Sequence, residues 1–164
     1  KGAYGITTGS PGRSLGGFSS TFTIPAEPTL VRAHALSGDS KYLKAILRST
    51  LFTAGANPMN LCLTTGLGEN HVLNPLHEDS KHTGQVAPIG ISVFGPSELS
   101  SLAKPGSEVE QRLRGGISPA IPEWPTAESY FDVFWIVPQN EYVIDRPLGQ
   151  AAYIWGYLAS RKKL

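Results

Sequence analysis

Residues 130–141 read Tyr-Phe-Asp-Val-Phe-Trp-Ile-Val-Pro-Gln-Asn-Glu, with one carboxylate near the start of an aromatic run and another at its end. A carboxylic acid crowded by rings loses hydration. That disfavours its ionised form and raises its pKa toward the range where it can donate a proton near neutrality. Glu141 is therefore a candidate general acid. The plainer reading makes Asp132 a turn cap and Glu141 a solvated carboxylate in a loop opened by Pro138. Residue types alone leave both open.

A second group of chemically capable side chains lies in a Gly- and Pro-rich stretch, where His71, His77, Glu78, Asp79 and His82 fall close together in sequence. Imidazoles and carboxylates are the ligands zinc takes. The spacing is irregular and the chain has no His-Glu-x-x-His helix, so no metal is expected here, and no cofactor. Among the three tryptophans, Trp124 sits between Pro122 and Pro125 in what reads as a rigid exposed loop, which leaves its flat face open for a ligand. Trp135 and Trp155 lie in apolar runs and read as core.

These residues must be positioned by helices and shaped loops. Pro25 and Pro28 suit a first helical turn, and the apolar residues after them continue to Gly38, a natural C-terminal stop. Asp39 then caps a second helix, with Leu43, Ile46, Leu47 and Leu51 on one face, running to about Gly55. The connection is short enough to fold the two into a helical hairpin. Residues 56–129 carry too many Gly and Pro breakers for a long helix; residues 61–65 and 89–94 read as short extended pieces and residues 108–114 as a helix. Residues 133–137 fit a buried strand or a helix ending at Pro138. Pro147 starts a last helix, apolar nearly all round and expected to be buried.

The whole reads as a single loop-rich domain, residues 1–164, with residues 1–23 a Gly/Ser/Thr-rich loop or tail. Gly (18) and Pro (13) exceed ordinary usage, which favours long shaped connections able to form a cleft. The net charge of +1 has no continuous basic stripe, so a nucleic-acid partner is not expected. No apolar run reaches the ~20 residues a membrane span needs, and the first residues lack a signal-peptide layout. Cys62, the one cysteine, is flanked by leucines and reads as buried.

Aromatic-x-Asp, eight residues, then Glu ahead of a helix resembles the second signature region of glycoside hydrolase family 9, the cellulase-type inverting glycosidases. Other pieces agree in order: Gly38-Asp39-Ser-Lys-Tyr-Leu, Gly55-Ala-Asn-Pro, Gly68-Glu69-Asn70 followed by Pro75-Leu76-His77-Glu78, and Pro88-Ile-Gly-Ile-Ser-Val-Phe-Gly-Pro. The pattern is divergent. Val137 replaces an aromatic, Val143 a small residue, Pro147 and Leu148 an Asn and a small residue, Leu76 a His and Glu78 an Arg. The resemblance covers roughly residues 28–160.

It implies a mainly α fold, the C-terminal portion of an (α/α)6 barrel, acting on a β-linked glucan or oligosaccharide. Glu141 would be the catalytic acid, with His77, Trp124, Asp132 and Tyr130 at the substrate; Asp132 would support the loop and not act as the base. Inversion needs a second carboxylate about 6.5–9.5 Å from the acid, with room for a water. The family's base comes from an Asp-x-x-Asp motif absent here, so this chain alone is expected to be inactive. Its partner would be the N-terminal part of a catalytic domain, or a second copy. The loss of His and Arg from the Pro75 motif puts ordinary cellulose recognition in doubt, and Glu78 could pair with a cationic amino sugar. The resemblance suggests a secreted or periplasmic protein. A noncatalytic carbohydrate-binding module and a structural or interaction domain are the alternatives.

Overall fold

The computed structural model describes residues 28–125, 128–144 and 148–161. The expected loop at residues 1–23, Pro25 and Pro147 lie outside them. The described residues hold seven α-helices and no named strand: α1 (Pro28–Ser37), α2 (Ser40–Thr53), α3 (Glu78–Thr83), α4 (Leu99–Leu102), α5 (Glu108–Leu113), α6 (Val137–Asn140) and α7 (Gly149–Ala159). A 3-10 turn, Ile121–Glu123, precedes Trp124.

The hairpin forms as its punctuation dictates. Gly38, at φ +67°, takes the left-handed conformation that closes a helix, and its N–H reaches the His34 carbonyl at 2.8 Å. Asp39 then caps α2, accepting the Lys41 N–H at 2.9 Å and pairing with the Lys41 ammonium. Lys41 holds the Asp39 carboxyl below the usual carboxylate range through these bonds. Of the apolar face expected on α2, Ile46 is buried and Leu43 and Leu47 are half-buried, but Leu51 is 54% exposed. Phe52, Ser49, Thr50 and Thr53 are buried instead, because the C-terminal half of α2 turns its side chains toward the following loop.

That loop is anchored by Asn57. Its amide N–H groups reach the Phe52 and Leu61 carbonyls at 2.7 and 2.8 Å, and its carbonyl accepts the N–H groups of Met59 and Leu61. One buried side chain thus joins the end of α2 to the next segment. The extended pieces expected near residues 61–65 and 89–94 pair as isolated bridges, Cys62 with His71 and Thr64 with Ser92, and do not widen into strands.

Three apolar clusters result. Phe52, Leu63, Val72, Ile91, Val93 and Tyr130 form one beneath the loops. Val31, Ile46, Ile154 and Leu158 join α1, α2 and α7. Leu99, Ala103, Leu113 and Ile136 form the third, with Trp124, Phe131 and Trp135 packed against it. Cys62 is buried, which pushes its thiol pKa up.

Two expectations need correction. Residues 133–137 are neither strand nor the end of a helix: Ile136 caps the start of α6, and Pro138 lies in that helix's first turn, where its missing N–H leaves nothing unpaired. The last helix is not buried all round. Ile154 and Leu158 are buried, while Tyr153 is 45% exposed, because the described elements that pack on α7 meet it on one side.

Candidate functional site

The loop at residues 73–77 and the segment at residues 130–144 are brought together by polar side chains. Asp132 accepts the backbone N–H groups of Leu73 and Asn74 at 2.7 and 2.9 Å, and the Asn74 side chain returns a bond to the Asp132 carbonyl at 3.1 Å. A carboxylate taking two backbone N–H groups makes charge-assisted bonds, roughly twice as strong as neutral ones. Three residues on, the Leu76 N–H bonds the Asn140 carbonyl at 2.8 Å.

Gln139 and Asn140, both fully buried, hold the other side of this seam. The Asn140 amide donates to the carbonyls of Phe131 and Val133, each at 2.8 Å, and its own oxygen accepts the Tyr130 hydroxyl at 2.7 Å. Gln139 donates to the Ser129 carbonyl at 2.6 Å and accepts the Phe131 N–H at 3.0 Å. Burial, reinforced by the Asp132 charge, pushes the Tyr130 phenol well above its ordinary value, so it stays a donor. The chain leaves α6 at Glu141, whose backbone turns extended and whose carbonyl accepts the Phe94 N–H at 3.0 Å.

Across the seam, His77 caps α3. Its Nδ1 accepts the Ser80 N–H at 3.2 Å and lies 2.8 Å from the Ser80 hydroxyl. With Nδ1 accepting, the neutral ring carries its proton on Nε2. The ring stacks against Tyr142, centroids 6.4 Å apart and planes 21° apart. Burial, then the charges of Asp79 and Glu141, raise the Tyr142 phenol pKa.

The result is an open cleft of about 670 Å³, walled by Leu76, His77, Glu78 and Asp79 on one side and Glu141, Tyr142, Val143 and Ile144 on the other. That volume lies in the range of small-ligand sites. Glu141 is half-buried at its wall. Of the residues singled out by sequence, the structure brings Glu141, His77, Glu78 and Asp79 to this cleft. Asp132 and Tyr130 stand behind it, in the hydrogen-bond seam.

Trp124 lies elsewhere. It is half-buried, edge-on to Phe131 at 5.5 Å, with its indole N–H on the Pro119 carbonyl at 2.7 Å. The loop is exposed on either side of it at Glu123 and Pro125, while the Trp124 ring itself packs on the third cluster through Phe131. Three rings of the 130–137 run are engaged elsewhere: Phe131 and Trp135 join the third cluster, and Phe134 sits under the Lys81 ammonium.

Glu78, standing where an Arg was expected, faces Lys81 at 3.6 Å and His82 at 3.3 Å. His71 is tied into the preceding turn through the Gly68 carbonyl. Among the described residues no group of three or more His, Cys, Asp or Glu side chains could hold a metal ion. No helix among them is long and apolar enough to cross a membrane.

Gln139, Asn140 and Tyr142 were not singled out by sequence reasoning. The available signal was two adjacent amides in an otherwise apolar run, which a buried position forces to find partners.

With this geometry the chain can be set beside known proteins. Its backbone matches that of a metagenome-derived glycoside hydrolase family 9 endoglucanase with a TM-score of 0.63 and 27% identity, over 82% of this chain. The fold is part of a helical toroid. The chain spans 21% of that endoglucanase's length. No protein-family model matches this chain, and no curated protein does. The likeness therefore supports a glycoside-hydrolase-like relationship, and the chemistry has to be argued from the cleft.

Proposed function

We propose that this chain is the C-terminal part of a divergent family 9-type catalytic domain. It would cleave a β-linked glucan or oligosaccharide with inversion, Glu141 acting as general acid. The observation that carries this reading is the shared cleft: Glu141 and His77, far apart in sequence, line one opening of about 670 Å³. Glu141 would protonate the departing glycosidic oxygen, and the Nε2–H of His77 would bind a sugar hydroxyl. Tyr130 and Asp132 would act on substrate through the loop they hold, and Trp124 would offer a ring at a more distant sugar.

The base would come from outside the chain, about 6.5–9.5 Å from Glu141, with a water between base and sugar. Its bearer would be the remaining helices of the toroid, packing on the apolar side chains that α1, α2 and α7 leave exposed at Leu36, Leu51 and Tyr153. A second copy of the chain is the other partner to test.

The test uses the complete enzyme carrying this segment. Glu141→Gln should lower turnover of cello-oligosaccharides about 10²- to 10⁴-fold, the usual reach of general acid catalysis. An aryl cellobioside with a strongly acidic phenol, which needs no protonation to depart, should lose far less. Equal losses on both substrates would remove Glu141 from the acid role. Undiminished glycan binding without any turnover in the parent enzyme would favour a noncatalytic binding module.

A further inference from the structure

The short helix α3 separates two openings of opposite character. Its first residues, with His77, face the cleft already described, where the charged lining residues Glu78, Asp79 and Glu141 are all acidic. Its later residues line a second, more enclosed pocket of about 280 Å³, formed with Leu73, Asn74, Pro75, Gln85 and Phe134. Among the described residues that line this pocket the charged one is Lys81, and none is a carboxylate.

Two features converge inside it. The Lys81 ammonium lies over the Phe134 ring, 5.0 Å from its centroid, and Phe134 keeps 36% of its surface exposed, so a cation and the open part of an apolar ring are presented together. The ammonium's carboxylate neighbour, Glu78, sits at 3.6 Å on the cleft side and is itself shared with His82 at 3.3 Å. Such an exposed, long ion pair contributes little and yields readily to a better-placed anion. The pocket floor is rigid, since Asn74 is held by Asp132 through both its backbone N–H and its side chain.

We propose that this pocket is a second saccharide site, selective for a sugar that carries a carboxylate, a uronate. The apolar face of the sugar ring lies against the part of Phe134 that Lys81 leaves open and the carboxylate meets Lys81, with Gln85 offered to a ring hydroxyl. Its position behind the 73–77 loop lets an acidic sugar, borne as a branch or neighbouring unit, be held beside the cleft while Glu141 addresses a neutral linkage. The preference for a sugar rests on the carbohydrate reading of the cleft; the preference for an anion rests on Lys81 and the charge contrast.

The test is titration of the complete enzyme carrying this segment with D-glucuronate and with D-glucose, followed by backbone amide shifts. Glucuronate should move the amides of Lys81, Gln85 and Phe134 at millimolar concentration, and glucose should bind at least tenfold more weakly. Lys81→Gln should remove that difference and Lys81→Arg should keep most of it, which separates lost charge from lost fold. Glu141→Gln should leave glucuronate binding unchanged. Equal affinity for the two sugars, glucuronate binding that survives Lys81→Gln, or binding that falls with Glu141→Gln would each overturn the proposal. So would retention of cyclohexanecarboxylate with no response to glucuronate. None of these outcomes touches the leaving-group test of Glu141, so the two readings fail separately.

Discussion

The cluster joining α1, α2 and α7 and the seam behind the cleft are held by different physics. In the first, Val31, Ile46, Ile154 and Leu158 exclude water between helices, with a polar tie at the margin where the buried His34 meets the Tyr157 hydroxyl at 2.6 Å and Arg161 donates to that hydroxyl at 2.8 Å. In the second, the atoms that fix the geometry are amides and a carboxylate: Gln139, Asn140 and Asp132. Apolar packing tolerates small shifts because it is non-directional. Hydrogen bonds demand direction, and a buried polar group that loses its partner is penalised for it. The wall that carries Glu141 rests on the second kind of contact, which fixes direction as well as distance.

The sharpest way to break this contrast is to open the helical cluster. Ile154→Ala should destabilise the chain by about 2–5 kcal/mol in urea unfolding. Amide exchange at Leu73, Asn74 and Leu76 should retain its order of protection, and equal loosening in both regions would show that they form one cooperative unit. Next in size, Asn140→Ala removes the amide that bridges Phe131, Val133 and Tyr130, at a cost of about 1–3 kcal/mol. Here the Leu76 amide should lose protection while those of α7 keep theirs.

Alkali probes the same seam more gently. The Tyr130 pKa is raised in the fold, so its contribution is complete below the unfolded value near 10 and is lost as pH climbs toward the folded value. Stability should fall by up to about 1.4 kcal/mol per pH unit in that window. Tyr130→Phe should flatten the slope while lowering stability at pH 7 through the lost bond to Asn140. An unchanged slope would mean that the phenol reaches water. The smallest effect belongs to the hairpin turn, where Asp39→Ala should lower Tm slightly at neutral pH. Because the Asp39 pKa is depressed, the wild-type advantage should persist above about pH 3.8 and vanish as acid protonates the cap.

The helical hairpin was legible because its signals are local. Pro28, Gly38 and Asp39 act within one or two residues of themselves, through a missing N–H, a left-handed φ and a side-chain cap. Pro138 was misread because the same residue that stops one helix can start another, and here the preceding turn at Ile136 leaves it at the start. Tyr153 was expected to be buried because an apolar helix carries no mark of which sides will find neighbours. The partnership of Glu141 with His77 entered the sequence reading through resemblance, since spacing cannot say that two distant loops meet.

The sequence by itself determined where the two hairpin helices begin and end, that Glu141 follows an aromatic run, and that Cys62 has apolar neighbours. Those are properties of adjacent residues. Tertiary structure decided that Phe131 and Trp135 pack on the third cluster, that Tyr142 and His77 stand at the cleft of Glu141, and that Asp132 spends its carboxylate on the backbone of Leu73 and Asn74. It also decided that α3 divides an acidic opening from one that presents a lysine. The reason is directional: a hydrogen bond or a ring contact between residues about 60 positions apart depends on how two loops are oriented in space, and orientation is set by everything packed beneath them.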